Sequence, residues 1–110
     1  MADKTLVNSV QNTVADTIEI FYTSPTDGNG TRIEAFTASN NTDSNKTYKA
    51  YIYNAAGTAL PAVMPLKIVV RNRFNVGAAL VGLIIPAGGT LRMESNEALS
   101  ISFTAAGNEL

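Results

Sequence analysis

Alternation of apolar and polar side chains, repeated along most of the chain, is the feature that most restricts its fold. In the stretch 98–104, for example, Leu99, Ile101 and Phe103 alternate with smaller or polar residues, and we expect all three to point inward. A period of two is that of a β-strand, whose successive side chains point to opposite faces. Comparable stretches occur at 17–23, 31–38, 47–53, 67–71 and 90–94. The sequence therefore predicts an all-β domain with little helix.

Turn-forming residues separate these stretches at nearly regular intervals. Examples are the Pro- and Gly-containing segment 24–30, the polar loop 40–46 and the Pro-Ala-Gly-Gly segment 86–89. The apolar run 78–85 predicts a strand that is buried on both faces. The tally is about seven or eight short strands, which predicts an antiparallel β-sandwich or a jelly-roll-like barrel over residues 17–110. Pro61 and Pro65 place segment 60–66 at a sheet edge or in a crossing connection.

Residues 1–16 differ from the rest of the chain. Their β-branched residues favour extended structure, whereas the spacing of the valines also permits a brief helical turn, and no clear apolar face continues through them. We predict an N-terminal arm, separate from the sandwich, that lies along a neighbouring subunit. Its candidate contact residues are Leu6, Val7, Val10 and Val14.

Composition excludes several classes of function. The 110 residues include no histidine, no cysteine and no tryptophan, so the usual general base, thiolate nucleophile and transition-metal ligands are missing. We therefore expect no enzyme activity, no cofactor and no metal site. The net charge of −1, with 15% charged residues, argues against a nucleic-acid partner. The longest apolar run, 76–85, is half of the roughly 20 residues that a membrane-spanning helix needs, so no membrane association is expected.

Three basic residues lie close together at Lys67, Arg71 and Arg73. Their odd-numbered spacing would put all three on one side of a continuous strand. Two interpretations are about equally favoured. The patch contacts an acidic neighbour in an assembly, or it is a solvated face that discourages aggregation at a sheet edge.

Two tyrosines, Tyr51 and Tyr53, share one side of a strand with Lys49. An aromatic side of this kind is exposed or lies at an interface, because Tyr48 and Ile52 take the opposite, core side. The favoured interpretation is contact with a partner or with neighbouring strands. A glycan site formed by these tyrosines and the loop 40–46 is the alternative.

The order of several segments resembles small β-sandwich virion proteins of tailed bacteriophages. The segments are an Asn-rich turn (33–42), a Tyr-rich strand (48–54), the corner Ile85-Pro86-Ala87-Gly88-Gly89-Thr90-Leu91 and a closing strand (98–107). This resemblance implies a non-enzymatic structural protein of the virion, synthesised in the host bacterial cytoplasm. It implies a capsid decoration, or cement, protein that binds the major capsid protein as a homo-oligomer, with a trimer favoured. A neck or tail accessory protein is the alternative within the same class, and a glycan-binding module is the alternative outside it.

Overall fold

The computed structural model describes residues 4–59, 67–76 and 80–110 of the chain. Within these ranges the protein forms nine strands and no helix, which confirms the all-β prediction. Segment 60–66, predicted as an edge strand or a connection, lies outside the described residues. The strands are β1 (Lys4–Gln11), β2 (Glu19–Thr23), β3 (Thr31–Asn40), β4 (Lys46–Tyr53), β5 (Lys67–Val69), β6 (Arg73–Val76), β7 (Ile84–Ile85), β8 (Thr90–Ser95) and β9 (Ile101–Glu109).

The strands form two antiparallel sheets packed as a β-sandwich. One sheet, here sheet A, has the order β1-β9-β3-β6, with the short β7 also paired to β3. The other, sheet B, has the order β2-β8-β4-β5. Strand β1 lies against β2, and β5 lies against β6. The sandwich therefore has two lateral edges, which we call the β1–β2 edge and the β5–β6 edge.

The core between the sheets is centred on aromatic rings from both layers. Phe36 and Phe103 of sheet A pack against Tyr48 of sheet B, with ring centroids 5.2 to 6.1 Å apart. Phe21 meets Phe103 edge-on at 5.2 Å. Edge-on and tilted arrangements of this kind add to the free energy gained from burying the rings. Aliphatic side chains complete the core; those buried most deeply are Val7, Ile33, Val69, Leu80, Ile85, Leu91, Met93 and Ile101.

From Lys4 onward the N-terminal segment is part of the sandwich, which corrects the prediction of a separate arm over residues 1–16. Residues 4–11 form β1, which pairs with β9 of the same sheet. Val7 is only 2% exposed and belongs to the core. The register of β1 shifts on both sides of Val7, and Ser9 has a φ of 52°. These irregularities break the period of two, so the sequence shows no continuous apolar face.

The apolar run 78–85 does not form the doubly buried strand that its composition predicts. Its described part begins with a turn at Leu80, where the amide of Leu83 donates to the carbonyl of Leu80, and Gly82 takes a φ of 90°. Within residues 80–85, only Ile84 and Ile85 are in a strand. Leu80 and Ile85 are buried, whereas Val81 and Ile84 are exposed. The prediction fails because glycine permits the left-handed backbone that ends a strand.

Candidate interaction surfaces

The outer face of sheet B carries the predicted tyrosine pair. Tyr51 and Tyr53 point outward, because the alternating residues Tyr48 and Ile52 are buried in the core. The rings of Tyr51 and Tyr53 are 6.3 Å apart. The guanidinium of Arg92, on the neighbouring strand β8, lies 4.0 Å from the centre of the Tyr53 ring. This cation–π contact holds the Tyr53 ring against the sheet.

A hydrogen bond fixes the second ring of this face. The hydroxyl of Tyr51 donates to the carboxylate of Glu94 on β8. Burial, together with the hydrogen bond to the carboxylate of Glu94, raises the pKa of Tyr51 to about 12. The phenol is therefore protonated at neutral pH and available as a donor. Both tyrosines are held in place by residues of β8, so the face is ordered before any partner arrives.

The loop 40–46 does not join the tyrosines in one site. The loop ends at Lys46, the first residue of β4, whereas Tyr51 and Tyr53 lie near the end of that strand. The five steps of extended chain from Lys46 to Tyr51 span about 16 Å. Asn40, at the start of the loop, is fully buried and bonded to the loop itself. The combined glycan site of the sequence analysis is therefore not assembled.

A small cavity of about 180 Å³ lies farther along the outer face of sheet B. Its walls include Asp16, Thr47, Lys49 and Glu94. Lys49 and Glu94 are directly opposite each other in the register of β4 and β8. The cavity is smaller than the 300 to 1,000 Å³ or so that is typical of small-molecule sites.

The three basic residues do not lie on one side of a continuous strand, which corrects the prediction made for Lys67, Arg71 and Arg73. Lys67 begins β5 in sheet B, and Arg73 begins β6 in sheet A. Between them the chain turns at Asn72, whose φ is 54°, and the amide of Arg73 donates to the carbonyl of Val70. The predicted continuous strand fails because the chain crosses here from one sheet to the other. Arg71 and Arg73 are exposed and lie at the β5–β6 edge.

The same β5–β6 edge exposes apolar side chains that the sequence analysis missed. Four of them are exposed by 50% to 68%: Ile68, Val70, Phe74 and Val76. Ile68, Val70 and Phe74 line an open cleft of about 400 Å³ together with Arg73 and Asn75. Exposed apolar residues that cluster in this way mark an interaction surface more often than a solvated one. Period-two alternation could not show this, because edge exposure depends on the order of the strands.

The β1–β2 edge also exposes apolar residues. Val10, Val14, Ile18 and Ile20 are exposed by 37% to 56%. Leu99, in the connection before β9, is exposed as well, and its amide donates to the carbonyl of Asn12 in this region. Of the four predicted arm contacts, Val10 and Val14 are therefore accessible. Val7 is buried, which corrects its assignment to an interface, and Leu6 packs partly against the core.

A carboxylate organises the connection between β1 and β2. Glu19 accepts hydrogen bonds from the hydroxyl of Thr13 at 2.5 Å, the amide of Thr13 at 2.8 Å and the side-chain amide of Asn12 at 2.9 Å. The bonds from Thr13 and Asn12 lower the pKa of Glu19 to about 2. The alternation of apolar and polar residues does not reveal this cluster. The short spacing of Asn12, Thr13 and Glu19 was the available signal.

Comparison with known proteins yields no match to a family model, to a curated protein or to a solved structure.

Two further carboxylates bind side chains from distant parts of this chain. Glu97 pairs with Lys46, and Glu109 accepts from the hydroxyl of Tyr22 at 2.5 Å and from Lys4 at 2.9 Å. In the part of the chain that the structure describes, no group of three or more acidic residues could hold a metal ion. The same part contains no helix that is long and apolar enough to cross a membrane.

Proposed function

We propose that this protein is a non-enzymatic structural component of a tailed bacteriophage virion. In this proposal it decorates the assembled capsid and binds the major capsid protein as a homo-oligomer, with a trimer favoured. The observation that carries the proposal is the pair of lateral edges, each with several exposed apolar side chains on a small, well-packed sandwich. Such surfaces need partners, and repeated copies on a shell add weak contacts through avidity.

Two further observations support a structural role. The sequence supplies no histidine or cysteine for catalysis, and Glu19, Glu94, Glu97 and Glu109 each bind groups of this chain. The corner 85–91, which carries the resemblance to phage proteins, joins β7 to β8 tightly. Gly88 has a φ of 73°, and a Cβ at Gly89 would lie 2.4 Å from the carbonyl oxygen of Tyr53. The corner therefore requires glycine at both positions.

Immunoelectron microscopy tests the proposal. Antibodies against the purified protein are applied to intact virus particles from the organism that carries the gene. Regular labelling of the shell supports capsid decoration, and labelling confined to the neck or tail supports the accessory alternative. Intact particles without label, from preparations in which the protein is expressed, would contradict both.

The ordered tyrosine face favours one second candidate, a glycan-binding module. Tyr51, Tyr53 and Arg92 present aromatic surface and hydrogen-bond donors on one flat face, which suits a sugar ring. A glycan array with the parent protein and with Tyr53→Ala separates the candidates. Binding that the substitution abolishes favours the module. A silent array for an oligomer that labels virions favours the structural role.

A further inference from the structure

The two exposed edges differ in charge as well as in position. The sequence has no lysine or arginine between Lys4 and Arg32, and Asp16 and Glu19 of the β1–β2 edge lie in that stretch. It has no aspartate or glutamate between Asp43 and Glu94, and Arg71 and Arg73 of the β5–β6 edge lie there. The β1–β2 edge is thus acidic and the β5–β6 edge is basic.

Nearby charges do not remove this difference. Lys4, at the start of β1, is paired with Glu109 at 2.9 Å. Arg92, which is opposite Ile20 in the register of β2 and β8, is directed over the ring of Tyr53. Near β5, Lys46 is paired with Glu97. Lys49 lines the same cavity as Asp16, and Asp43 lies in the loop whose Asn45 accepts from the amide of Arg71. The β5–β6 edge therefore carries two exposed arginines near one carboxylate, and the β1–β2 edge carries two carboxylates near one lysine.

We infer that the β5–β6 edge of one copy binds the β1–β2 edge of the next copy. Ile68, Val70 and Phe74 would bury their apolar surface against Val14, Ile18 and Ile20. Arg71 and Arg73 would face the acidic side of that strip, so the contact is complementary in both hydrophobicity and charge. This inference rests on the homo-oligomer of the proposed function and states which surfaces hold it together.

The charges of the edges disfavour a symmetric, two-fold contact between copies. A two-fold contact would bring two β5–β6 edges together and would place Arg71 and Arg73 against their own copies. Like charges in an interface oppose association. The head-to-tail contact instead pairs opposite charges. Because the two edges lie on opposite sides of the sandwich, each copy keeps one edge of each kind for its neighbours. Repetition closes a ring when the rotation between copies permits it.

Mixing two variants, each with one of the two edges altered so that it cannot bind, tests this arrangement. Arg73→Glu/Phe74→Thr changes only the basic edge, and Val14→Lys/Ile20→Thr changes only the acidic edge; all four side chains are exposed. Each variant alone should sediment as a monomer, with self-association weakened roughly 100-fold. The equimolar mixture should form a dimer and stop there, because only one intact edge of each kind remains. Ala56→Glu/Thr58→Glu, a matched change of two charges in an exposed turn, should assemble like the parent.

Analytical ultracentrifugation gives the contrary outcomes. A parent that stays monomeric at millimolar concentration overturns the inference. So does self-association of the acidic-edge variant alone, which indicates a symmetric contact through the other edge. A mixture that remains monomeric overturns it too. Far-ultraviolet dichroism of each variant checks that the sandwich has folded.

Chemical crosslinking provides a second test that needs no blocked edge. The chain has no cysteine, so Val14→Cys and Phe74→Cys each introduce a single thiol. A short bismaleimide should link a mixture of the two variants but not Phe74→Cys alone, and the reverse result contradicts the head-to-tail contact. Rings in solution without label on virions would refute the proposed function and leave the contact intact. Label on virions from a monomeric protein would refute the contact and the homo-oligomer and leave the virion role intact.

Discussion

Asn40 is a buried amide whose hydrogen bonds hold three segments together. It is fully buried, and its amide donates to the carbonyls of Ser44 and Val69, each at 2.9 Å. Its carbonyl accepts from the amide of Thr42 at 2.9 Å and from the hydroxyl of Thr42 at 2.6 Å. One side chain thus joins the end of β3, the following loop and β5. The Asn-rich turn noted in the sequence is built on this residue.

Replacing Asn40 by alanine should therefore destabilise the domain. The substitution leaves the carbonyl of Val69 without its buried donor, and we expect a loss of about 2 to 3 kcal/mol in the free energy of unfolding. Urea denaturation followed by dichroism measures the change. The exposed neighbour Asn41→Ala is the control and should alter stability by less than about 0.5 kcal/mol. Equal stabilities of the two variants would show that Asn40 does not hold the segments together.

Glu19 should make stability depend on pH in the acid range. Its folded-state pKa of about 2 lies below the value of about 4.3 expected in an unfolded chain. The contribution is therefore complete above the unfolded value and is lost as the pH falls toward 2. Because the carboxylate is largely solvated, we expect only about 1 kcal/mol.

The variant Glu19→Gln measures this contribution. Its unfolding free energy should fall below that of the parent at pH 7, and the difference should vanish near pH 2. Thr13→Ala removes the strongest partner, and the double variant should lose less than the sum of the two single losses. A difference between parent and Glu19→Gln that stays constant from pH 7 to pH 2 would disprove the assignment.

Strand β1 is an outer strand of sheet A, and it should stabilise the domain because it contributes Val7 to the core. Val7 lies in the core, whereas Val10, three residues later in the same strand, is 44% exposed. Val7→Ala should cost about 2 kcal/mol, because it removes two buried methyl groups and leaves a cavity. Val10→Ala should change stability by less than about 0.5 kcal/mol. Thermal unfolding of the two variants checks this, and equal midpoints would restore the prediction of a separate arm.

Regular strands were predictable from the sequence, and irregular ones were not. Strands β4 and β8 match the predicted stretches to within two residues at each end, because their alternation is nearly unbroken. Strand β3 also matches in extent, but its register shifts between Ile33 and Ala35, so the buried side changes from Ile33 to Phe36 and Ala38. Strand β2 has a register shift at Phe21, so Phe21 and Tyr22 both pack against the core. Leu99, predicted to point inward, is exposed, because its φ of 56° places it in a turn before β9. Bulges and left-handed residues other than glycine leave little trace in a periodic pattern.

The candidate surfaces also differ in whether alternation along one strand can predict them. Alternation within β4 was enough to place Tyr51 and Tyr53 on an outer face. The exposed edges could not be predicted in this way. Ile68 and Phe74 look like core residues in the sequence, and their exposure follows from the outer positions of β5 and β6 in the two sheets. Strand order is set by contacts between distant segments, which a local pattern does not encode.

For the whole molecule, sheet order converts a charge pattern along the chain into a difference between two sides. The first and second strands form one edge, and the fifth and sixth form the other. Asp16 and Glu19 therefore lie on the opposite side of the sandwich from Arg71 and Arg73. The charges of the two edges nearly cancel in the whole molecule, whose net charge is only −1. A molecule of this kind has little overall repulsion between copies and a preferred direction of approach.

Salt should weaken the contact between copies, because the charges of the two edges are opposite. Raising the ionic strength from 0.1 M to 1 M shortens the screening length from about 10 Å to about 3 Å. If Arg71 and Arg73 face Asp16 and Glu19 across the contact, sodium chloride should raise the dissociation constant of the assembly about tenfold over this range. Sedimentation at several salt concentrations gives the slope. Arg73→Gln should reduce that slope, whereas the turn variant Ala56→Glu/Thr58→Glu should keep it. Assembly that grows stronger with sodium chloride would mean that apolar burial alone drives the contact, since screening weakens an attraction between charges and leaves apolar burial in place.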